Sequence, residues 1–301
     1  MPELPEVQVH AERLAAWLDG MVLRHMEPLA FAALKTYTPS VDAAVGRRLE
    51  AVTRRGKLFV FNFGQVSHVV HLMQGGRLRP DPGTTRRPRG GLMRWRFQAP
   101  DTGGDDAPSA RTLLLNEAGT ERKAGVWVVA GDPLTQPPLD ELGPEADTVE
   151  PDVMARLLAA RSQRLHTFLR DQRSLAGLGR RLANEVCYRA RLSPFVTTTA
   201  LGQDGAGQVV RAIREVVAEG LESERSRKEM SASKDRPASV HDRAGKTCPI
   251  CGDTIRAVAY RGYTVNYCPT CQTGGKILAD NVYSRLGVER EAQPPRARPR
   301  R

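Results

Sequence analysis

No apolar run in this chain of 301 residues is long enough to cross a membrane, which excludes a helical membrane protein. The N-terminus lacks a basic stretch followed by an apolar one, so no secretory signal is expected and the chain reads as cytoplasmic. Cysteine is scarce: there are five, and four fall in two C-x-x-C pairs. In an intracellular chain that pattern points to metal rather than disulfides. Internal repeats are absent. Acidic residues are the minority, 34 Asp plus Glu against 45 Lys plus Arg, a net charge of +11. That excess favours a polyanionic partner, nucleic acid first, over a basic protein with no special partner. The length suits two domains, and 40% hydrophobic residues support a core.

The opening Pro2-Glu3-Leu4-Pro5-Glu6-Val7 is the most informative stretch. Removal of Met1 would leave Pro2 with a terminal secondary amine. An α-amino group titrates near pH ~8, so much of it is neutral at working pH. A neutral amine is a nucleophile that can form a Schiff base with a carbonyl-like carbon. Glu3 and Glu6 lie within a helical turn of it, where a carboxyl can shuttle protons. The same residues also suit a plain helix start, with Pro in the first turn and acids at the positive end of the dipole.

Leu4, Val7, Ala11, Leu14, Ala15 and Leu18 form one apolar stripe at helical spacing, and Gly20 ends it. From Val22 to Val129 the pattern becomes short apolar runs between Gly, Pro and charged residues: Lys57 to Phe63, His68 to Met73, Leu92 to Phe97, Thr112 to Leu115. This predicts an α+β chain in which one helix precedes an antiparallel β-sandwich domain, residues 1–133. Asp101 to Ala110 reads as a loop, and residues 134–150, rich in Pro and acids, as a linker. Helical periodicity returns over 151–242, in four segments around Leu157, Phe168, Val186 and Ile213. The charged stretch Glu222 to Arg243 reads as a mobile loop. A small module follows over 243–272, then a basic tail, 273–301, whose arginines from Arg290 onward read as a disordered, phosphate-attracting end.

In that module Cys248-Pro-Ile-Cys251 and Cys268-Pro-Thr-Cys271 enclose sixteen residues rich in Val, Tyr and Thr, as a β-hairpin requires. Each C-x-x-C aims two thiolates at one point. Four thiolates suit one tetrahedral Zn²⁺ with no open position, a structural site that folds the module; iron or two disulfides are the alternatives. Cys187 falls within a helical pattern and reads as a core cysteine. Upstream, Gly177-Leu178-Gly179-Arg180 opens a helix, where exposed backbone N–H groups can hold a phosphate. Arg173, Arg180 and Arg181 strengthen that reading.

Together these residues resemble the formamidopyrimidine-DNA glycosylase and endonuclease VIII family of base-excision repair enzymes. The likeness covers about residues 2 to 272. It rests on the opening Pro2 to Val7, on Arg54-Arg55-Gly56-Lys57, on Leu142-Gly143-Pro144-Glu145, on Asp171-Gln172 with Gly177-Leu178-Gly179 and Ala183-Asn184-Glu185, and on the cysteine hairpin. The resemblance implies a helix-two-turn-helix DNA-binding domain over 151–242 and a monomer acting on damaged double-stranded DNA near the nucleoid. It implies that Pro2 attacks C1′ and displaces the base, that the iminium permits β-elimination, that Glu3 is the general acid and base with Glu6 beside it, and that Lys57 binds phosphates and aids proton transfer. Base flipping is expected.

The chain departs from the family pattern at DNA-contacting positions. Arg180 stands where the family has Asn, Tyr263 where it has a phosphate-clamping Arg, and His166 where it has Lys. Gln74, beside Met73, stands at the Met or Leu wedge, and Arg122-Lys123-Ala124 lacks the aromatic wedge. Arg261, two residues from Tyr263 on a strand, is one candidate to present a guanidinium near the same phosphate, and Arg180 offers a second route. These changes imply a divergent subfamily. They also suit a non-catalytic binder of abasic or distorted DNA, with a zinc-ribbon protein acting on RNA or a protein partner as a third reading.

Overall fold

The computed structural model describes residues 1–83, 85–86, 88–100, 109–119, 121–231, 235–260 and 262–278. Most of the expected loop at 101–110, Arg261 and the arginine-rich end lie outside the described residues. The chain divides into two compact units, Met1–Glu145 with Ala218–Asp235, and Ala146–Val217 with the residues from Arg236 onward.

The first unit opens with α1 (Leu4–Trp17), which buries the apolar stripe Val7, Ala11 and Leu14. Among the described residues eight strands follow: β1 (Val22–Pro28), β2 (Ala51–Arg55), β3 (Leu58–Asn62), β4 (Val66–His71), β5 (Gly76–Pro80), β6 (Gly91–Gln98), β7 (Ala110–Glu117) and β8 (Gly125–Ala130). They form two antiparallel four-stranded sheets, ordered β1-β6-β7-β5 and β2-β3-β4-β8. The sandwich-like reading is thus realised. Side chains alternate faces along a strand. In β3, Phe59 and Phe61 enter the main core with Leu23, Met26, Trp95, Phe97 and Leu113, whereas Leu58 and Val60 face a second cluster with Val69, Val129 and Leu139. Burial on both faces explains why β3 reads as a continuous apolar run. The stretch 134–150 supplies that outer cover: Leu139 is buried there and Leu142 packs against it.

The second unit contains α2 (Pro151–Ala160), α3 (Leu165–Arg170), α4 (Arg180–Arg189), most of α5 (Gly202–Arg225), the hairpin β9 (Arg256–Tyr260) and β10 (Tyr263–Tyr267), and α6 (Pro269–Thr273). Gly262, just before β10, has φ +82, a left-handed conformation that favours glycine.

The charged stretch from Glu222 is not loop at its start. Helix α5 continues to Arg225, within the first unit. There Glu224 is 1% exposed, accepts from Ser231 N at 2.8 Å and Oγ at 2.6 Å, and lies 3.6 Å from Arg13. A charge run looks solvated in sequence, but paired carboxylates can be buried.

Candidate active site and nucleic-acid interface

At the N-terminus the helix-start reading and the chemical one share the same atoms. Glu3 is the N-cap of α1: its side chain accepts from the backbone of Glu6, while the Glu6 carboxylate accepts from Glu3 N at 2.9 Å. This reciprocal capping satisfies two amide donors that the helix leaves open. It also holds both carboxylates beside the N-terminus, with Pro2, Glu3 and Glu6 all buried. Burial pushes the terminal amine on Met1 below its ordinary pKa. Glu3 pulls it back up, Arg77 lowers it, Glu6 raises it and Lys57 lowers it. An amine at this place is therefore more fully neutral at neutral pH than an exposed one.

Lys57 sits in the Gly56-Lys57 turn between β2 and β3 and is only 4% exposed. A lysine in a tight turn is ordinarily solvated. Burial, then the charge of Lys57, pushes His71 on the neighbouring strand down to about 4. The turn itself is clasped from the far end of the unit. Glu145 accepts from Gly56 N at 2.6 Å and from Arg55 at 2.6 Å, and also pairs with Arg54. Arg55 reaches the carbonyl of Gly143 at 2.7 Å, and Arg54 bonds Gln8 of α1 at 3.0 Å. Helix α1, the Lys57 turn and residues 142–145 are thereby one hydrogen-bonded assembly. Sequence reading missed this clasp, since nothing local marks Glu145 as a partner.

Beyond β4, Met73 adopts φ +52, a left-handed conformation uncommon for a long side chain, and Gln74 is exposed. The turn is tight: a Cβ on Gly76 would lie 2.3 Å from the carbonyl oxygen of Leu72. Arg122 is exposed on the segment before β8, which Glu117 anchors by accepting from Lys123 N at 2.7 Å and Ala124 N at 2.8 Å.

In the second unit Gly179 caps α4, and Gln172 braces the preceding turn by accepting from Gly177 N at 3.1 Å and donating to the Leu178 carbonyl at 2.7 Å. Arg180 is exposed and donates to the Gly262 carbonyl at 2.9 Å. Arg181 corrects the sequence reading. It is 4% exposed and donates to the carbonyls of Arg236 and Pro237, so its guanidinium braces the fold. Asn184 and Glu185 likewise act internally: Asn184 bonds His241 at 2.8 Å, and Glu185 accepts from the amides of Ser239, Val240 and His241.

His166 is 2% exposed and lies against an aromatic group that sequence reading did not bring together. Tyr263 stacks on Tyr260 at 4.9 Å, with His166 near-parallel at 6.3 Å, and Arg170 and Arg180 lie 4.2 and 5.2 Å from its ring centre. Burial pushes His166 down to about 3.

The four cysteine sulfurs Cys248, Cys251, Cys268 and Cys271 lie within 4.8 Å of one another, with pairs at 3.4 and 3.8 Å. A tetrahedral Zn²⁺ with Zn–S bonds of about 2.3 Å spaces its sulfurs by roughly 3.8 Å, so the donor set and spacing fit that ion. Cys187 is fully buried and its thiol pushed up by desolvation, as an inert core cysteine should be.

The chain resembles known proteins over most of its length. Residues 1–107 match the formamidopyrimidine-DNA glycosylase N-terminal domain, and residues 142–231 match the formamidopyrimidine-DNA glycosylase H2TH domain. The formamidopyrimidine-DNA glycosylase of Thermus thermophilus is 33% identical over 294 residues, covering 91% of this chain and all of that protein. A formamidopyrimidine-DNA glycosylase-like protein of Mycobacterium tuberculosis is 39% identical over 153 residues, 48% of this chain and 93% of its own. The crystal structure of the MutM (Fpg) protein from Thermus thermophilus superposes with a TM-score of 0.73 at 30% identity, covering 90% of this chain and 98% of that one. MutM in complex with DNA containing carbocyclic 8-oxo-G shares the fold with a TM-score of 0.78 at 20% identity, covering 90% and 100%. The chain therefore belongs to the formamidopyrimidine-DNA glycosylase and endonuclease VIII family.

Proposed function

We propose that the chain is a bifunctional DNA glycosylase and abasic-site lyase that removes damaged bases during base-excision repair. The observation carrying this reading is the buried set Pro2, Glu3, Glu6 and Lys57 at the chain start, beside a terminal amine whose pKa is lowered by desolvation. Once Met1 is removed, the secondary amine of Pro2 occupies that environment. Its lone pair attacks C1′, the glycosidic bond breaks, and the departing base takes the proton that the Pro2 nitrogen gives up. Glu3 supplies a proton to the opening sugar ring oxygen and later takes one away. The resulting iminium at C1′ acidifies the C2′ proton. Loss of that proton breaks the bond from C3′ to its phosphate oxygen, and hydrolysis of the iminium returns Pro2. Lys57 binds a flanking phosphate and assists proton transfer. Damaged duplex DNA as partner is supported by relatives of this fold solved with 8-oxo-G, abasic-site and Fapy-dG DNA. The four cysteines hold one structural Zn²⁺ that folds the hairpin.

Borohydride trapping tests the proposal. Reduction should link wild-type protein covalently to DNA containing an abasic site, and Pro2→Gly should weaken or abolish the adduct. Absence of any adduct from protein with a processed N-terminus, alongside intact DNA binding, would instead identify a non-catalytic binder.

A further inference from the structure

The second unit carries a cleft of about 310 Å³, lined by Arg164, His166, Pro194, Phe195, Tyr260 and Tyr263 among others. His166 and Tyr263 stand at DNA-contacting positions of the family pattern, but the catalytic steps proposed above do not use the cleft. Its rings form two near-parallel pairs, Phe195 with Tyr260 at 6.4 Å and His166 with Tyr263 at 6.3 Å. Arg164 lies 5.1 Å from the Phe195 ring centre and donates to the Tyr260 hydroxyl at 3.0 Å. Arg170 and Arg180 flank Tyr263. Aromatic faces interleaved with guanidinium groups are the composition by which proteins hold unpaired nucleotides: bases stack on the rings and phosphates meet the cations.

His166 adds an independent indication. Its Nε2 is buried and has no hydrogen-bond partner, although the residue lines the cleft. A buried ring nitrogen without a partner is costly in either tautomer, and a ligand group of the complementary kind relieves it. Unpaired nucleobases expose donors and acceptors on their pairing edge; paired ones do not.

We infer that this cleft binds an unpaired nucleobase of a DNA strand, stacked against Phe195 and Tyr260 and hydrogen-bonded to His166. The inference rests on DNA as the partner and goes beyond the catalytic reading. The base has two sources with one chemistry: a single-stranded segment, or a nucleotide unpaired within a duplex.

The test measures affinity of the full chain, at fixed salt, for three undamaged DNAs: a single strand, a duplex with one bulged nucleotide, and the fully paired duplex. Phe195→Ala should weaken binding to one or both unpaired substrates by roughly five- to a hundredfold, the range for loss of one stacked base. Whichever substrate shows the loss identifies the source. Paired-duplex affinity should stay within about twofold, taken as smaller than the loss of one stacking contact. Tyr260→Phe, which keeps the ring, should bind like wild type. His166→Phe, which keeps an aromatic face but removes the ring nitrogens, should weaken the same substrates as Phe195→Ala, and it carries the test should that variant lose zinc or cooperative unfolding. Equal losses on all three DNAs, or no loss on either unpaired one, would overturn the inference. Protein that forms no borohydride adduct yet shows the selective loss would keep the cleft and discard the lyase.

Discussion

The amide of Gly56 donates to Oε1 of Glu145 at 2.6 Å across 89 positions of sequence. That bond, with those from Arg54 and Arg55, fixes the turn on which Lys57 rides. Burial by itself would raise the Glu145 carboxyl. Arg54, the Gly56 amide and Arg55 more than offset it, leaving the pKa below the usual value. A depressed folded-state pKa gives stability that is present above the unfolded value, near ~4.3, and lost as pH falls through the folded one. Glu145→Gln should therefore cost about 1–3 kcal/mol at neutral pH and flatten the acid limb of the stability profile. Denaturant melts between acid and neutral pH read both effects; an unchanged acid limb would show that the clasp contributes no linkage.

Glu3 has two duties that one substitution separates. Glu3→Gln weakens the cap of α1 and should cost about 0.5–2 kcal/mol of stability. Loss of a general acid and base should lower base removal by about 10²–10⁴-fold. DNA binding should persist. An activity loss no larger than the drop in folded fraction would reduce Glu3 to a cap.

Lys57→Ala should lower activity on intact damaged bases by more than roughly tenfold, equivalent to about 1.4 kcal/mol of barrier. Single-turnover rates decide it, and a rate within about twofold of wild type would remove Lys57 from the reaction.

Arg180 is held at the hairpin turn by the Gly262 carbonyl, with its exposed guanidinium beside Tyr263. Arg180→Ala should weaken binding across all lesions and reduce the slope of log K against log salt by about one unit. A salt titration that retains the slope would leave Arg180 with a packing role only.

Two buried histidines set an acid limit for folding. His68 accepts from the indole N–H of Trp95 at 3.0 Å and is pushed to about 3 by burial; His166 is pushed to about 3 by burial and then by Arg170. Each is neutral in the fold, so its contribution is present above the unfolded pKa of ~6.5 and declines as pH falls below it. At pH 5 the loss should be about 2 kcal/mol for each. Chemical denaturation at pH 7 and pH 5 measures it, and His68→Phe should remove part of the difference.

Replacing Cys248 or Cys271, or stripping metal with a chelator, should unfold the hairpin and cut DNA affinity while the β domain keeps its cooperative transition. Elemental analysis should find one zinc per chain; iron, or active protein without metal, would overturn the zinc assignment.

What the sequence determined by itself was local. The stripe from Leu4 to Leu14 has the period of a helix face, and α1 buries it. Short apolar runs divided by turn residues became two antiparallel sheets. The two C-x-x-C pairs carry their geometry in their spacing, and the four sulfurs converge. These signals survive in sequence because a few covalent links impose them. The tertiary structure decided what depends on distant partners. Whether Arg181 faces solvent or carbonyl oxygens depends on a segment more than fifty residues away. Whether Glu224 ends a helix in water or lies buried depends on Ser231 and Arg13. Tyr260, Tyr263, Phe195 and His166 read singly as strand, loop and helix residues, and only the folded chain brings their rings together. Periodicity reports the face a residue occupies; it does not report which other face the fold will bring against it.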